Sequence, residues 1–122
     1  MLLCCIFRHQ HKYNENVRYR LREKEGPIWS LKPTPYTSSG GSAPALLGRV
    51  GDTPIIGSGF YAGTLGAVAI TGKGEQLVRH ILAFSVYQWL AEGQSMDSAL
   101  QRGIDLFEST IPVGIIAVTA KA

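Results

Sequence analysis

The sequence predicts an α+β domain in which two consecutive helices cover one face of a sheet, and three observations carry that prediction. "TLGAVAIT" (Thr64 to Thr71) is a run of small and β-branched residues, and "VGIIAVTA" (113–120) is an uninterrupted apolar run. Both suit strands buried on two sides. Between them lie two stretches whose apolar residues recur at helical spacing. The order β, α, α, β puts both helices on the same side of the sheet. With 122 residues, the chain fits a single domain.

The elements follow in order. In "NVRYRLREK", Val17, Tyr19 and Leu21 alternate with Arg18, Arg20 and Arg22, which suits an edge strand with one basic face. "KPTPYTSSGGSAP" gathers Pro, Ser, Thr and Gly and reads as a linker or irregular loop. This places a composition boundary near Lys32, between a basic segment (1–32) and the region 33–122. "PIIGSGFYAG" reads as a glycine-punctuated turn leading into the strand at Thr64 to Thr71.

"GEQLVRHILAFSVYQWLAEG" reads as one continuous helix. Leu77, Ile81 and Phe84 share a face, Val78, Leu82 and Leu90 widen it, Glu75 complements the N-terminal dipole and Gly93 can end it. Ser95 can cap a second helix running to about Glu108, with Met96, Leu100, Ile104 and Phe107 on its buried side. Pro112 closes the connection to the last strand.

Composition narrows the function classes. At 45% hydrophobic and 17% charged residues, the chain can bury a core and is too apolar for disorder throughout. The formal charge is +3, with seven of the twelve Lys and Arg residues (Arg8, Lys12, Arg18, Arg20, Arg22, Lys24, Lys32) in the first 32 positions. Such an arm can meet an anionic partner, but no stacking aromatics are interleaved with it, so a solvated terminus is the simpler reading and nucleic acid is not the expected partner. The only cysteines, Cys4 and Cys5, are adjacent and imply a reducing compartment. "MLLCCIF" is short for a signal-peptide core, and no run approaches the ~18 apolar residues of a membrane span. The expectation is a soluble cytoplasmic protein without a membrane role.

Several motifs are set aside. "GSGFYAG" misses the dinucleotide fingerprint by one position, and "TGKGE" lacks the P-loop spacing. Cys4, Cys5, His9 and His11 could supply soft metal ligands, but adjacent cysteines splay poorly onto one ion and no second paired cluster exists. No metal or other cofactor is expected. His80 has no carboxylate in register, and Trp29, Tyr87 and Trp89 read as packing residues.

What remains is "LGRVGDTPIIGSG" (47–59), which sets Arg49 and Asp52 three apart among glycines. Taken alone, the two charges can be read as a turn in which they pair with each other. Taken together, "TSSGG", "GRVGDTPIIGSGFYA", "TGKGE", the two helices and "GIIAV" resemble the C-terminal half of the plant-type asparaginase and isoaspartyl peptidase family of N-terminal-nucleophile hydrolases, over roughly residues 37–119. The resemblance implies a partial αββα layered sandwich, and amide hydrolysis by a threonine that forms an acyl-enzyme.

The resemblance also implies residue roles. Arg49 would grip the α-carboxylate of the substrate and Asp52 its α-ammonium, so that the pair reads the zwitterionic end of asparagine or of a β-aspartyl dipeptide. Thr71 and Gly72 would stabilise the oxyanion through a hydroxyl and a backbone N–H. Gly74 would let the backbone approach the substrate amine, and Ser39 stands where the family usually places a threonine hydroxyl near the nucleophile. The nucleophile itself is missing. Its place, counted back from "TSSGG", falls near Leu21, where "RLREKEGPIWSLK" replaces the family's "TVGAVA" strand; Thr34 and Thr37 lie too close to Ser39 to serve. The expectation is therefore an inactive hydrolase fragment that binds aspartate-like ligands, or a non-catalytic truncated or decayed paralogue. In either case a partner chain or a second copy would cover the exposed sheet.

Overall fold

The computed structural model describes residues 2–8 and 47–119. Among these residues, four strands and three helices run in the order β1 (Leu2–Arg8), β2 (Phe60–Gly63), β3 (Gly66–Gly72), α1 (Gly74–His80), α2 (Leu82–Ala91), α3 (Met96–Asp105) and β4 (Val113–Thr119). The strands form one antiparallel sheet in the order β1-β4-β3-β2. The α+β class is thus observed. The expected basic strand around Val17 to Arg22 lies outside the described residues, as does the Pro- and Ser-rich loop as far as Pro44.

The apolar run at the C-terminus becomes the interior strand β4, paired on one side with β3 (Ile70 opposite Ile115, Val68 opposite Ala117) and on the other with β1. Directly opposed residues share a face of an antiparallel sheet. Val68, Ile70, Val113, Ile115 and Ala117 therefore form the face that packs on the helices through Leu77, Leu82, Val86, Leu100, Ile104 and Phe107, all buried. Ala67, Ala69, Ile116 and Val118 on the other face are buried too, as a continuous apolar run requires. Each fully buried Leu or Ile contributes about 1.5–3 kcal/mol relative to exposure, so this cluster is the main source of stability.

Three details depart from the sequence reading. First, "FYAG" is a strand: β2 and β3 form a hairpin in which Gly63 pairs with Gly66 across Thr64 and Leu65. The glycines and the half-exposed pattern disguised it as a turn. Tyr61 packs edge-on against Phe84 and Tyr87 of α2, both at 4.9 Å. Second, "LLCCIFR" is strand β1, at the edge of the sheet formed by the described residues and in register from Leu2 opposite Thr119 to Arg8 opposite Val113; set aside as too short for a signal-peptide core, it gave no alternation to signal a strand. The strand thus comes from the segment that composition had set apart.

Third, the expected single helix of 74–93 is two helices. Ile81 adopts a left-handed conformation, φ 44° and ψ 50°, and separates α1 from α2. It is exposed, as is Val78, so neither joins the buried stripe assigned to them. The last helix is capped as expected, Ser98 N–H donating to Ser95 Oγ at 3.3 Å. It ends at Asp105, three residues early, although Phe107 is still buried.

Candidate functional site

The site sits where β3 ends and α1 begins, under the loop 47–59. That loop is rigidly tied. The Gly59 carbonyl accepts from Ile70 N–H of β3 at 2.8 Å, and the Ser58 hydroxyl donates to Leu77 O of α1 at 3.4 Å. The Gly57 and Ser58 carbonyls accept from Phe84 N–H (2.8 Å) and Ala83 N–H (3.4 Å). The last two donors are first-turn amides of α2, which have no partner within their own helix. The break at Ile81 creates them, and the loop uses them.

Within the loop, Asp52 O accepts from Ile55 N–H at 2.9 Å, closing a turn that buries the Asp52 side chain to 4% exposure. Its Oδ2 is buried without a hydrogen-bond partner among the described residues. Burial raises the Asp52 carboxyl above the ordinary carboxylate range, against the pull of a backbone hydrogen bond and of the Arg49 charge; Glu75 adds to the rise. An unsatisfied buried acceptor costs on the order of 1–3 kcal/mol, more when charged.

Arg49 does not pair with Asp52. Its Nε and Nη2 both donate to Oε1 of Glu75, at 3.1 and 2.7 Å. Glu75 is the residue that the sequence reading missed; it appeared there only as a helix-dipole partner. Its place as the last residue of "TGKGE", in register with the Arg49 loop, was the available signal. The Arg49 hydrogen bond is the main cause that draws its carboxyl below the ordinary value.

Gly74, buried as the first residue of α1, joins the two halves. A Cβ placed on it would stand 2.8 Å from Asp52 Oδ1 and 3.5 Å from Arg49 Nη2. The carboxylate and the guanidinium thus converge on the hydrogen-only face of one glycine. Two residues earlier, Gly72 has a positive φ of 154°, and a Cβ there would lie 2.5 Å from Pro112 O. Thr71, half-buried, precedes it at the end of β3 opposite Gly114.

Of the residues named from sequence, Arg49, Asp52 and Gly74 are therefore brought together, with Thr71 and Gly72 on the adjoining strand end. Ser39 lies outside the described residues. Among those residues, no group of three or more His, Cys, Asp or Glu side chains gathers where a metal ion could be held. His80 stacks edge-on with Phe107 at 5.1 Å, and Arg102 lies 4.3 Å over Trp89; both are packing contacts away from this cluster. No helix is long and apolar enough to cross a membrane among the described residues.

A buried carboxylate and a held guanidinium meet over a bare glycine, and comparison with known proteins gives the chain a lineage. The asparaginase family model matches residues 34–122. An isoaspartyl peptidase/L-asparaginase of Xenopus laevis is 41% identical over 76 residues, 62% of this chain and 25% of that protein. A plant-type L-asparaginase of Thermococcus kodakarensis is 39% identical over 88 residues, covering 70% of this chain and 29% of its own length. An isoaspartyl peptidase/L-asparaginase of Bos taurus shares the same identity over the same shares. The chain belongs to the asparaginase family. It spans about a quarter of the length of these curated relatives.

Proposed function

We propose that this chain binds the α-amino-acid end of L-asparagine, L-aspartate or a β-aspartyl peptide, as a relative of the asparaginases and isoaspartyl peptidases that has lost the covalent step. One observation carries the reading: the unpartnered, buried Asp52 Oδ2 next to an arginine whose charge is held in place by another residue. A primary ammonium supplies the missing donors, and a carboxylate takes the remaining guanidinium edge. Thr71 and Gly72 then face the amide carbonyl. The two-sided burial of β3 and β4 supports the layered sandwich of N-terminal-nucleophile hydrolases.

Turnover is not expected, because Leu21 and its neighbours stand where the family's threonine belongs, and binding without a nucleophile leaves no acyl-enzyme route. The exposed Leu47, Val50, Ile56 and Ile81 support assembly with a partner chain or a second copy. The test is titration with L-aspartate followed by calorimetry, beside an ammonia assay with L-asparagine. Binding that is lost in Arg49→Ala and Asp52→Ala, with no ammonia released, is the expected result. Ammonia release that depends on Arg49 would overturn the inactive reading, and no binding by the intact chain would remove the recognition role.

A further inference from the structure

Arg49 and Asp52 present a physical problem that their ligand-free geometry solves in an unexpected way. Two opposite charges three residues apart, one of them buried beside the other, gain most by pairing directly. Such a pair would fill the Asp52 acceptor and occupy the guanidinium, leaving nothing for a ligand. In the structure the pair does not form. Oε1 of Glu75, from the first turn of α1, engages Nε and Nη2 of Arg49 side-on, while Asp52 Oδ2 stays unpartnered.

We propose that Glu75 is a positioning residue that holds the Arg49 guanidinium side-on and away from Asp52, so that the corner stays open for a ligand carrying both an ammonium and a carboxylate. This rests on the functional reading above and adds a residue to it. The geometry supports the role. Side-on engagement uses the Nε edge and one Nη2 hydrogen, which leaves the end-on edge, Nη1 with the outer Nη2 hydrogen, free to take a carboxylate in two parallel bonds. Gly51 lies beside that edge: a Cβ there would stand 3.6 Å from Arg49 Nη1, at ordinary contact distance.

Glu75 can hold the arginine against a buried competitor because it remains ionised. Arg49 and its own backbone hydrogen bond favour the charge, and Lys73 beside it does so too. Asp52, desolvated, is the weaker acceptor until a ligand supplies its donors. Thus one carboxylate of the site is spent on the arginine and the other is kept for the ligand. The Glu75 side chain is 61% exposed, so its replacement removes little packing.

The experiment compares the intact chain with Glu75→Ala and Glu75→Gln. Two readouts are taken: the Asp52 carboxyl titration followed by NMR, and calorimetric binding of L-aspartate. In Glu75→Ala the freed arginine turns to Asp52, so the Asp52 titration moves to lower pH. L-aspartate binding then weakens at least about tenfold, the scale of one lost charge-assisted contact. Glu75→Gln keeps an acceptor but removes the charge that itself raises Asp52, so it gives the shift expected from charge loss alone; an acid that acts only through its charge or as a helix cap would give Glu75→Ala the same Asp52 titration as Glu75→Gln. An Asp52 titration in Glu75→Ala that is no lower than in Glu75→Gln overturns the proposal. If the intact chain binds no L-aspartate but Asp52 falls further in Glu75→Ala than in Glu75→Gln, the positioning role stands and only the functional reading falls.

Discussion

At the scale of residues, the site is written in charges and in missing side chains. Asp52 is the costly member: its raised pKa means that the folded chain holds the proton more tightly than the unfolded chain does. The sign follows from linkage. Between the unfolded carboxylate value and the higher folded value, the native state binds more protons, so stability falls as pH rises through that window. Asp52→Asn removes the titrating group and is expected to flatten this slope and to raise the melting temperature at neutral pH, while abolishing ligand binding; thermal scans from pH 4 to 8 check it. Gly74→Ala tests the bare-glycine corner. Its Cβ would fall 2.8 Å from Asp52 Oδ1, and a forced contact of this kind typically costs about 1–3 kcal/mol. The expected outcome is lost L-aspartate binding with a folded circular-dichroism spectrum; unchanged affinity would show that this face does not line the ligand. Arg49 and Asp52 were legible as a pair from their spacing and resemblance. That Arg49 turns to Glu75 instead was not, because a contact across 26 positions is set by how the loop folds onto α1.

At the scale of elements, patterning succeeded where burial is periodic and failed where backbone geometry decides. β4 and α3 were legible because their apolar residues follow one period and Ser95 caps the latter. The 74–93 stretch was not, since its periodicity is compatible with an unbroken helix and nothing in "RHILA" announces a left-handed residue. A β-branched residue at φ 44° carries a strain of about 1–3 kcal/mol. The break is held by what surrounds it. The 57–58 carbonyls take the two freed amides, and Ser85 Oγ donates to the His80 carbonyl at 3.0 Å. Because the Ile81 side chain is exposed, Ile81→Gly loses little packing and is expected to stabilise the chain by about 1 kcal/mol, less the entropy of the added glycine. A denaturant midpoint that falls instead would show that residue 81 contributes through contacts and not through strain.

At the scale of the whole molecule, the class and the helix face were legible, but the extent of the sheet was not. A composition shift near Lys32 suggested a segment apart, yet β1, from the other side of that shift, adds itself along the whole of β4. Strand pairing depends on backbone groups and register, which composition does not encode. Exposed apolar side chains at Leu47, Val50 and Ile56 lie on the loop that carries the site, and Ile81 lies at the break between α1 and α2. Sedimentation over a range of concentrations is expected to show self-association that Ile56→Glu weakens; a monomer throughout would point to a different chain as partner.

The central claim is that the 47–59 loop and α1 form a corner for the two charges of an amino acid, with Asp52 as the unfilled half. The most direct measurement is the NMR signal of the Asp52 carboxyl as L-aspartate, and separately succinate, is added. L-aspartate should shift that signal saturably and lower the Asp52 pKa, because its ammonium occupies Oδ2, while succinate, which lacks the ammonium, should not. An equal response to both, or no response to either, would contradict the account.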